Sequence, residues 1–304
     1  MRVTINYLST VYSSLFSTFE YWKAQKNNMK YTFLFSLLVF FPCTDNHKTR
    51  PAERSRPKLI VKQEFQSIID SFHVKGVVLM YNAKNNTYYS NNFKMAKKGY
   101  LPASTFKIPN SIIGLETGVI KDTSTVFKWD GKKRYLTAWE KDLKLKQAFQ
   151  LSCVPCYQEV ARKIGVEKIK NYLKKLNYGN IIINTQTQDK FWLKGNSTIT
   201  PFQQIDFLKR FYFKRLPIST STYQTVKYIL QINKNQANIL SGKTGLSNQN
   251  GIKNGWFVGY VEVNKNVLFF ATNIQWQAGQ NVTFSPDIRK KITLECMKTL
   301  NAVE

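Results

Sequence analysis

Residues 255–263 (G-W-F-V-G-Y-V-E-V) and 266–274 (N-V-L-F-F-A-T-N-I) are apolar, aromatic-rich runs separated only by Asn264-Lys265. Two strand-like runs with a two-residue connection form a hairpin. Residues 239–245 (I-L-S-G-K-T-G) read as a neighbouring strand. Far away in the chain, residues 74–82 (V-K-G-V-V-L-M-Y-N) and 86–91 (N-T-Y-Y-S-N) read as two more, around an Asn-rich turn. Between these ends the chain is mainly helical over about 120–235, with helices at 156–164, 166–176, 201–213 and 221–231. Residues 59–72 carry helix-spaced apolar side chains, and a closing helix fits 286–300, with Pro286 near its first turn. The expected fold is one α/β body. Its sheet is completed by strands distant in sequence, it has a helix on each side, and a mainly helical region is inserted.

The 304 residues are 43% hydrophobic and 14% aromatic, which suits a real core and excludes a disordered chain or a repeat array. The charge is extreme: 45 Lys+Arg against 18 Asp+Glu, a net +27. Nucleic acid, anionic lipid or a cell-wall polymer could answer such a surface. However, Lys and Asn are scattered and no basic tract matches a nucleic-acid motif, so the charge reads as compositional drift and no nucleic-acid partner is expected.

Residues 1–44 read as an N-terminal extension whose apolar core, about 31–42, is too short for a membrane span of ~20 residues. It has the length of a signal-peptide core of ~7–15 residues. No A-x-A site follows, and Phe41-Pro42 before Cys43 makes a poor lipobox. Residues 45–58 are polar and punctuated by Pro51 and Pro57, as in a linker, so the folded domain is expected at 59–304. Export to the periplasm or outside the cell follows, with no stable membrane span.

Cysteine is sparse. Cys153 and Cys156 form a C-x-x-C that could be redox-active or half of a zinc site. There is no second such pair and there are only two histidines, so no metal is expected. An oxidising compartment could join the two cysteines, but the spacing does not decide it.

The scarcity of histidine also narrows the catalytic options. His47 lies in the linker, and His73 sits between a helix and a strand without an acidic neighbour. In P-A-S-T-F-K-I-P-N (102–110), Ser104 and Lys107 are three apart and share a helix face. If Ser104 is a nucleophile, a lysine or a carboxylate must be its base. A free lysine, with a reference pKa of ~10.4, is a poor base at neutral pH. Burial beside Phe106, Ile108 and residues 112–115 would push it towards the neutral amine. Taken alone, S-x-x-K is weak, since any helix start can carry it. Its company is stronger: Ser152 at a helix start, Tyr178-Gly179-Asn180 after a helix, and Lys243-Thr244-Gly245 at the end of a strand. That order follows the S-x-x-K, second serine, K-T-G signature of serine acyl-transfer enzymes.

These motifs, with V-F-K-W-D-G (126–131), W-E-K-D-L (139–143), S-C-V-P-C-Y-Q-E-V-A-R (152–162), F-W-L-K-G (191–195) and G-W-F-V-G (255–259), resemble the class D serine β-lactamases of the penicilloyl-serine transferase superfamily. The likeness runs from about 60 to 300. It implies a serine β-lactamase/transpeptidase-like fold, with a central antiparallel sheet flanked by helices. It also implies hydrolysis of the β-lactam ring of penicillin-type antibiotics through a serine acyl-enzyme, and hence antibiotic resistance.

The resemblance further implies a role for each matching residue. Ser104 would attack the lactam carbonyl, and Lys107, carboxylated by CO2 or bicarbonate, would be the general base. Trp192 would hold that carbamate through its indole N–H. Ser152 would relay a proton to the leaving nitrogen beside the charge of Lys243. Val154, Thr244, Gly245, Leu246 and Arg289 would line the substrate, with Thr244 and Arg289 on its carboxylate. The backbone N–H groups of Ser104 and Leu246 would form the oxyanion hole. No other cofactor is implied, and the enzyme would work on a small molecule as a monomer or homodimer. Departures from the pattern are Cys153 and Cys156, where small or aliphatic residues are expected, and Leu246, where an aromatic is frequent. Rival readings are a β-lactam sensor domain that stays acylated and a cell-wall transpeptidase.

Overall fold

The computed structural model describes residues 56–234, 238–279 and 287–302. The N-terminal extension and nearly all of the linker lie outside the described residues. In chain order the strands are β1 (Lys58–Val61), β2 (Lys75–Asn82), β3 (Thr87–Ser90), β4 (Val126–Phe127), β5 (Leu143–Lys144), β6 (Gln231–Lys234), β7 (Asn238–Gln249), β8 (Ile252–Val263) and β9 (Asn266–Gln277). The helices are α1 (Gln63–Ser71), α2 (Phe93–Ala96), α3 (Lys107–Glu116), α4 (Leu145–Gln150), α5 (Val154–Ile164), α6 (Val166–Leu176), α7 (Pro201–Tyr212), α8 (Thr220–Leu230) and α9 (Ile288–Lys298).

Seven strands make one sheet in the order β1-β3-β2-β9-β8-β7-β6, antiparallel except for the β1–β3 pair. N-terminal β2 lies directly against C-terminal β9, which is the distant closure the sequence suggested. Two tight turns set the register of the long strands. At Asn264-Lys265 both residues have positive φ, 46° and 61°, and Val263 pairs with Asn266. At Asn250-Gly251 φ is 52° and 75°, and Gln249 pairs with Ile252. This is the I′ arrangement, whose twist matches that of the strands it joins.

Side chains alternate across the sheet and build two cores. Val77, Leu79, Tyr260 and Phe269 face the larger one, with Phe106, Ile112, Tyr157 and Leu208 of the helical region. Val78, Met80, Phe257 and Phe270 face the other, with Phe65 and Ile69 of α1 and Ile292 and Met297 of α9. The two terminal helices therefore share one face and pack together, and the inserted helical region covers the other, so the sheet has helices on each side as expected.

One correction concerns residues 59–72, whose first residues form edge strand β1 before α1 begins. Leu59 and Val61 are half exposed there, so the apolar run serves pairing with β3 rather than a helix face. Helices α5 to α8 match the expected segments to within two residues. By contrast, most of 117–144 and 177–200 is irregular, with β4 and β5 forming only a small ladder.

Candidate active site

Residues Ala103–Phe106 form a single 3-10 turn that runs directly into α3. In a 3-10 turn, side chains three apart eclipse one another, so Ser104 and Lys107 point the same way. Lys107 Nζ lies 3.1 Å from Ser104 Oγ, and the lysine is fully buried. Burial without a counter-charge pulls its amine down to about 7. The nearest aromatic face is the Tyr157 ring, 5.2 Å from Nζ.

The turn is held from three sides. Ala103 takes φ +51°, a region costly for a residue with a Cβ. The preceding carbonyl, Leu101 O, accepts hydrogen bonds from Asn254 Nδ2 and Trp256 Nε1, both at 2.9 Å. Thr105 Oγ1 donates to Pro102 O at 2.6 Å and accepts from the buried Gln204 Nε2 of α7 at 2.9 Å. Helix α7 can supply that residue because its start is firmly set. Pro201 is its first residue, and Thr200 and Gln203 cap each other reciprocally at 3.0 and 2.9 Å.

The K-T-G residues lie in the middle of β7, not at its end. β6 pairs with β7 only as far as Ser241; beyond that the edge of β7 faces the Ser104 turn. Gly245 makes this approach possible, since a Cβ there would sit 3.2 Å from Ser104 N and 3.3 Å from Pro102 O. Lys243 is buried and its Nζ donates to Ser152 Oγ and, at 2.9 Å, to Thr244 O. Burial first, then the charges of Lys107, Arg289 and Lys290, depress the Lys243 amine strongly. Arg289 of α9 reaches across to Gly245 O. Its stem passes over Gly255, where a Cβ would come within 2.9 Å of Arg289 Cδ.

Ser152 stands in the link between α4 and α5, with φ +54°. Val154, the first residue of α5, is half-buried beside it. Thr244 is half-buried and Leu246 is exposed. Cys153 and Cys156 form a disulfide. Trp192 is fully buried, stacks on Phe106 with ring centroids 5.5 Å apart, and has an indole N–H with no acceptor among the described residues. His73 lies elsewhere, closing the C-terminal turn of α1 through the Asp70 carbonyl.

Ser104, Lys107, Ser152, Lys243, Gly245 and Arg289 thus meet around one stretch of β7. Sequence reasoning overlooked Asn254, Trp256, Gln204 and Tyr157, which hold the parts in place. The available signal was polar or indole groups amid apolar runs destined for burial.

A buried serine–lysine pair facing a second serine–lysine pair across an open strand edge describes an acyl-transfer site. The family model for the penicillin binding protein transpeptidase domain matches residues 74–298. The β-lactamase OXA-5 of Pseudomonas aeruginosa is 40% identical over 81% of this chain and 90% of its own. Among solved structures, a class D β-lactamase from Sebaldella termitidis is 37% identical, with TM-score 0.78, covering 82% of this chain and 100% of that one. Class D β-lactamase YbXI from Nostoc is 39% identical, with TM-score 0.75, covering 79% and 99%. The chain belongs to the class D β-lactamases.

Proposed function

We infer that this chain hydrolyses the β-lactam ring of penicillin-type antibiotics through an acyl-enzyme on Ser104. The observation that carries this reading is the 3.1 Å approach of Ser104 Oγ to a buried Lys107 whose amine is depressed to about 7. A serine becomes a nucleophile when a base at hydrogen-bond distance takes its proton, and a base is most effective when its pKa is near the working pH.

On this reading Ser104 Oγ bonds to the lactam carbonyl carbon as its proton passes to Lys107. The backbone N–H groups of Ser104 and Leu246 stabilise the oxyanion. The C–N bond then breaks, and the nitrogen takes a proton from Ser152, which is resupplied by Lys243. Thr244 and Arg289 hold the substrate carboxylate, Gly245 leaves room for the ring, and Val154 lines the cleft opposite β7. Water then cleaves the ester and frees Ser104.

Two features fit a carboxylated Lys107: an amine that is substantially neutral near pH 7, and the buried Trp192 indole N–H that lacks an acceptor among the described residues. A carbamate on Lys107 Nζ would supply an anionic base held by the Trp192 indole and the Ser104 hydroxyl. Wild-type rates are then expected to rise with bicarbonate after mild acid degassing, with a carbamate carbon visible by 13C NMR. Rates indifferent to bicarbonate, with no such carbon, would leave Lys107 acting as a plain amine.

Export suits the rest of the chain. The apolar run at 31–42 serves as a signal-peptide core, and a disulfide such as Cys153–Cys156 persists in oxidising compartments. Among the described residues, no helix is long and apolar enough to cross a membrane. The enzyme then acts outside the cytoplasm, as a monomer or homodimer.

The deciding experiment is turnover of a chromogenic cephalosporin together with mass spectrometry after brief penicillin exposure. Many turnovers per chain and a penicilloyl adduct on Ser104 are expected, and both should vanish in Ser104→Ala. One persistent equivalent without turnover would instead mark a sensor or transpeptidase-like domain.

A further inference from the structure

The family chemistry gives no task to the Cys153–Cys156 disulfide, although it adjoins Ser152. Ser152 is the left-handed residue that ends α4. Its N–H donates to Phe149 O at 3.1 Å, and the Cys153 N–H donates to Ala148 O at 2.9 Å. These two bonds form a Schellman cap, in which the left-handed position is usually glycine. A residue with a Cβ is strained there, so the conformation persists only where its surroundings impose it.

Cys153 serves both helices. It follows the cap of α4 and is also the N-cap of α5, its sulfur accepting from the Cys156 N–H at 3.3 Å. The disulfide ties this N-cap to the first turn of α5. Ser152 is therefore bounded by a hydrogen-bonded cap on one side and a covalent bond on the other, while its hydroxyl meets Lys243 Nζ.

We propose that the Cys153–Cys156 disulfide positions the Ser152 hydroxyl for proton delivery to the leaving lactam nitrogen, so that acylation depends on this bond. The inference rests on the acyl-enzyme reading above. The two cysteines are positioning residues: they act through Ser152 and touch no substrate. Without the bond, the first turn of α5 can fray and the link can leave φ +54°, which turns the hydroxyl away from Lys243. Deacylation uses Lys107 and water and should be spared.

The disulfide is buried, but a small reductant has a route to it. It borders a surface cavity of about 340 Å³ lined also by Trp129, Trp139, Lys141 and Gln158. A small dithiol entering there would attack one sulfur as thiolate and close to its own cyclic disulfide. Two electrons and two protons would then pass to Cys153 and Cys156.

The test measures acylation and deacylation separately, by rapid-quench mass spectrometry with a penicillin. The proteins are oxidised wild type, dithiothreitol-treated wild type with its free thiols counted, and Cys153→Ser/Cys156→Ala, which keeps an N-cap oxygen. The variant is expected to acylate roughly tenfold or more slowly, in keeping with the penalty for small misplacements of reacting groups. Its deacylation should stay within about twofold of wild type, on the same reasoning. Reduced wild type should match the variant, and dithiothreitol should not affect the variant. Unchanged acylation in either disulfide-free form overturns the proposal, as does an equal fall in both steps. If the variant does not fold, reduced wild type decides; if the bond resists reduction, the variant decides. Absence of any adduct on oxidised wild type would remove the acyl-enzyme reading itself, a result distinct from slowed acylation.

Discussion

Lys107 has two opposed consequences, one for chemistry and one for stability. Its amine is depressed to about 7 in the folded chain, from an ordinary value of 10.5, because it is buried. The unfolded chain therefore binds the proton more tightly, and between these two pH values it carries more protons than the folded one. Stability must then rise with pH across that window and level off below about 7. A shift of this size corresponds to a penalty on the order of 5 kcal/mol at low pH. Lys107→Met keeps the length and buries no charge, so in CO2-free buffer it should be inactive yet more stable than wild type at pH 6. Urea denaturation from pH 6 to 10 checks this: wild type should gain stability along the series more steeply than the variant. Parallel profiles would mean that the Lys107 amine binds its proton equally well in the folded and unfolded chains, and the strain attributed to its burial would not exist.

Among the elements, the link between α4 and α5 shows function overriding local preference. Ala103 and Ser152 are the described positive-φ residues other than Gly, Asn, His and Lys, and both adjoin the reacting groups. Ser152→Gly should relieve the left-handed strain and stabilise the chain by about 1 kcal/mol. Lys243 would keep its bond to Thr244 O, so the lost hydroxyl contact costs little. The same change should slow acylation by roughly 100-fold or more, because it removes the proposed proton donor. Denaturant midpoints and burst rates on one preparation test both halves; a variant less stable than wild type would show that Ser152 is not strained. The turns were unequally legible. Asn264-Lys265 was recognisable as a hairpin, whereas Asn250-Gly251, a stronger signal, was passed over. β7 was therefore expected to stop at the K-T-G residues instead of running on to Gln249.

For the whole molecule, a net +27 must repel itself. The ion pairs among the described residues lie at the surface, such as Arg162–Asp189 at 2.6 Å and Lys227–Glu262 at 3.4 Å, and offset little of it. Screening should therefore help the fold: raising NaCl from about 0.05 to about 0.5 M cuts the Debye length from about 14 Å to about 4 Å, and Tm should climb by several degrees. Scanning calorimetry over that series measures it, and a flat or falling Tm would mean that the charges are spaced too widely to interact.

Much of this protein was already determined by its sequence. Local periodicity marked most helices and strands, because burying one face imposes a repeat on the apolar side chains. The spacing of Ser104 and Lys107 put the two on one face whatever followed, since a single helical turn spans them. Three things were left to the tertiary structure. The first is the face that α1 and α9 share, which depends on closure of β2 against β9 over almost 200 residues. The second is the hold of Asn254 and Trp256 on Leu101 O, which no local pattern encodes because the partners are more than 150 residues apart. The third is the Cys153–Cys156 bond, because a C-x-x-C spacing is compatible with thiols, a metal or a disulfide until α5 sets the two side chains together.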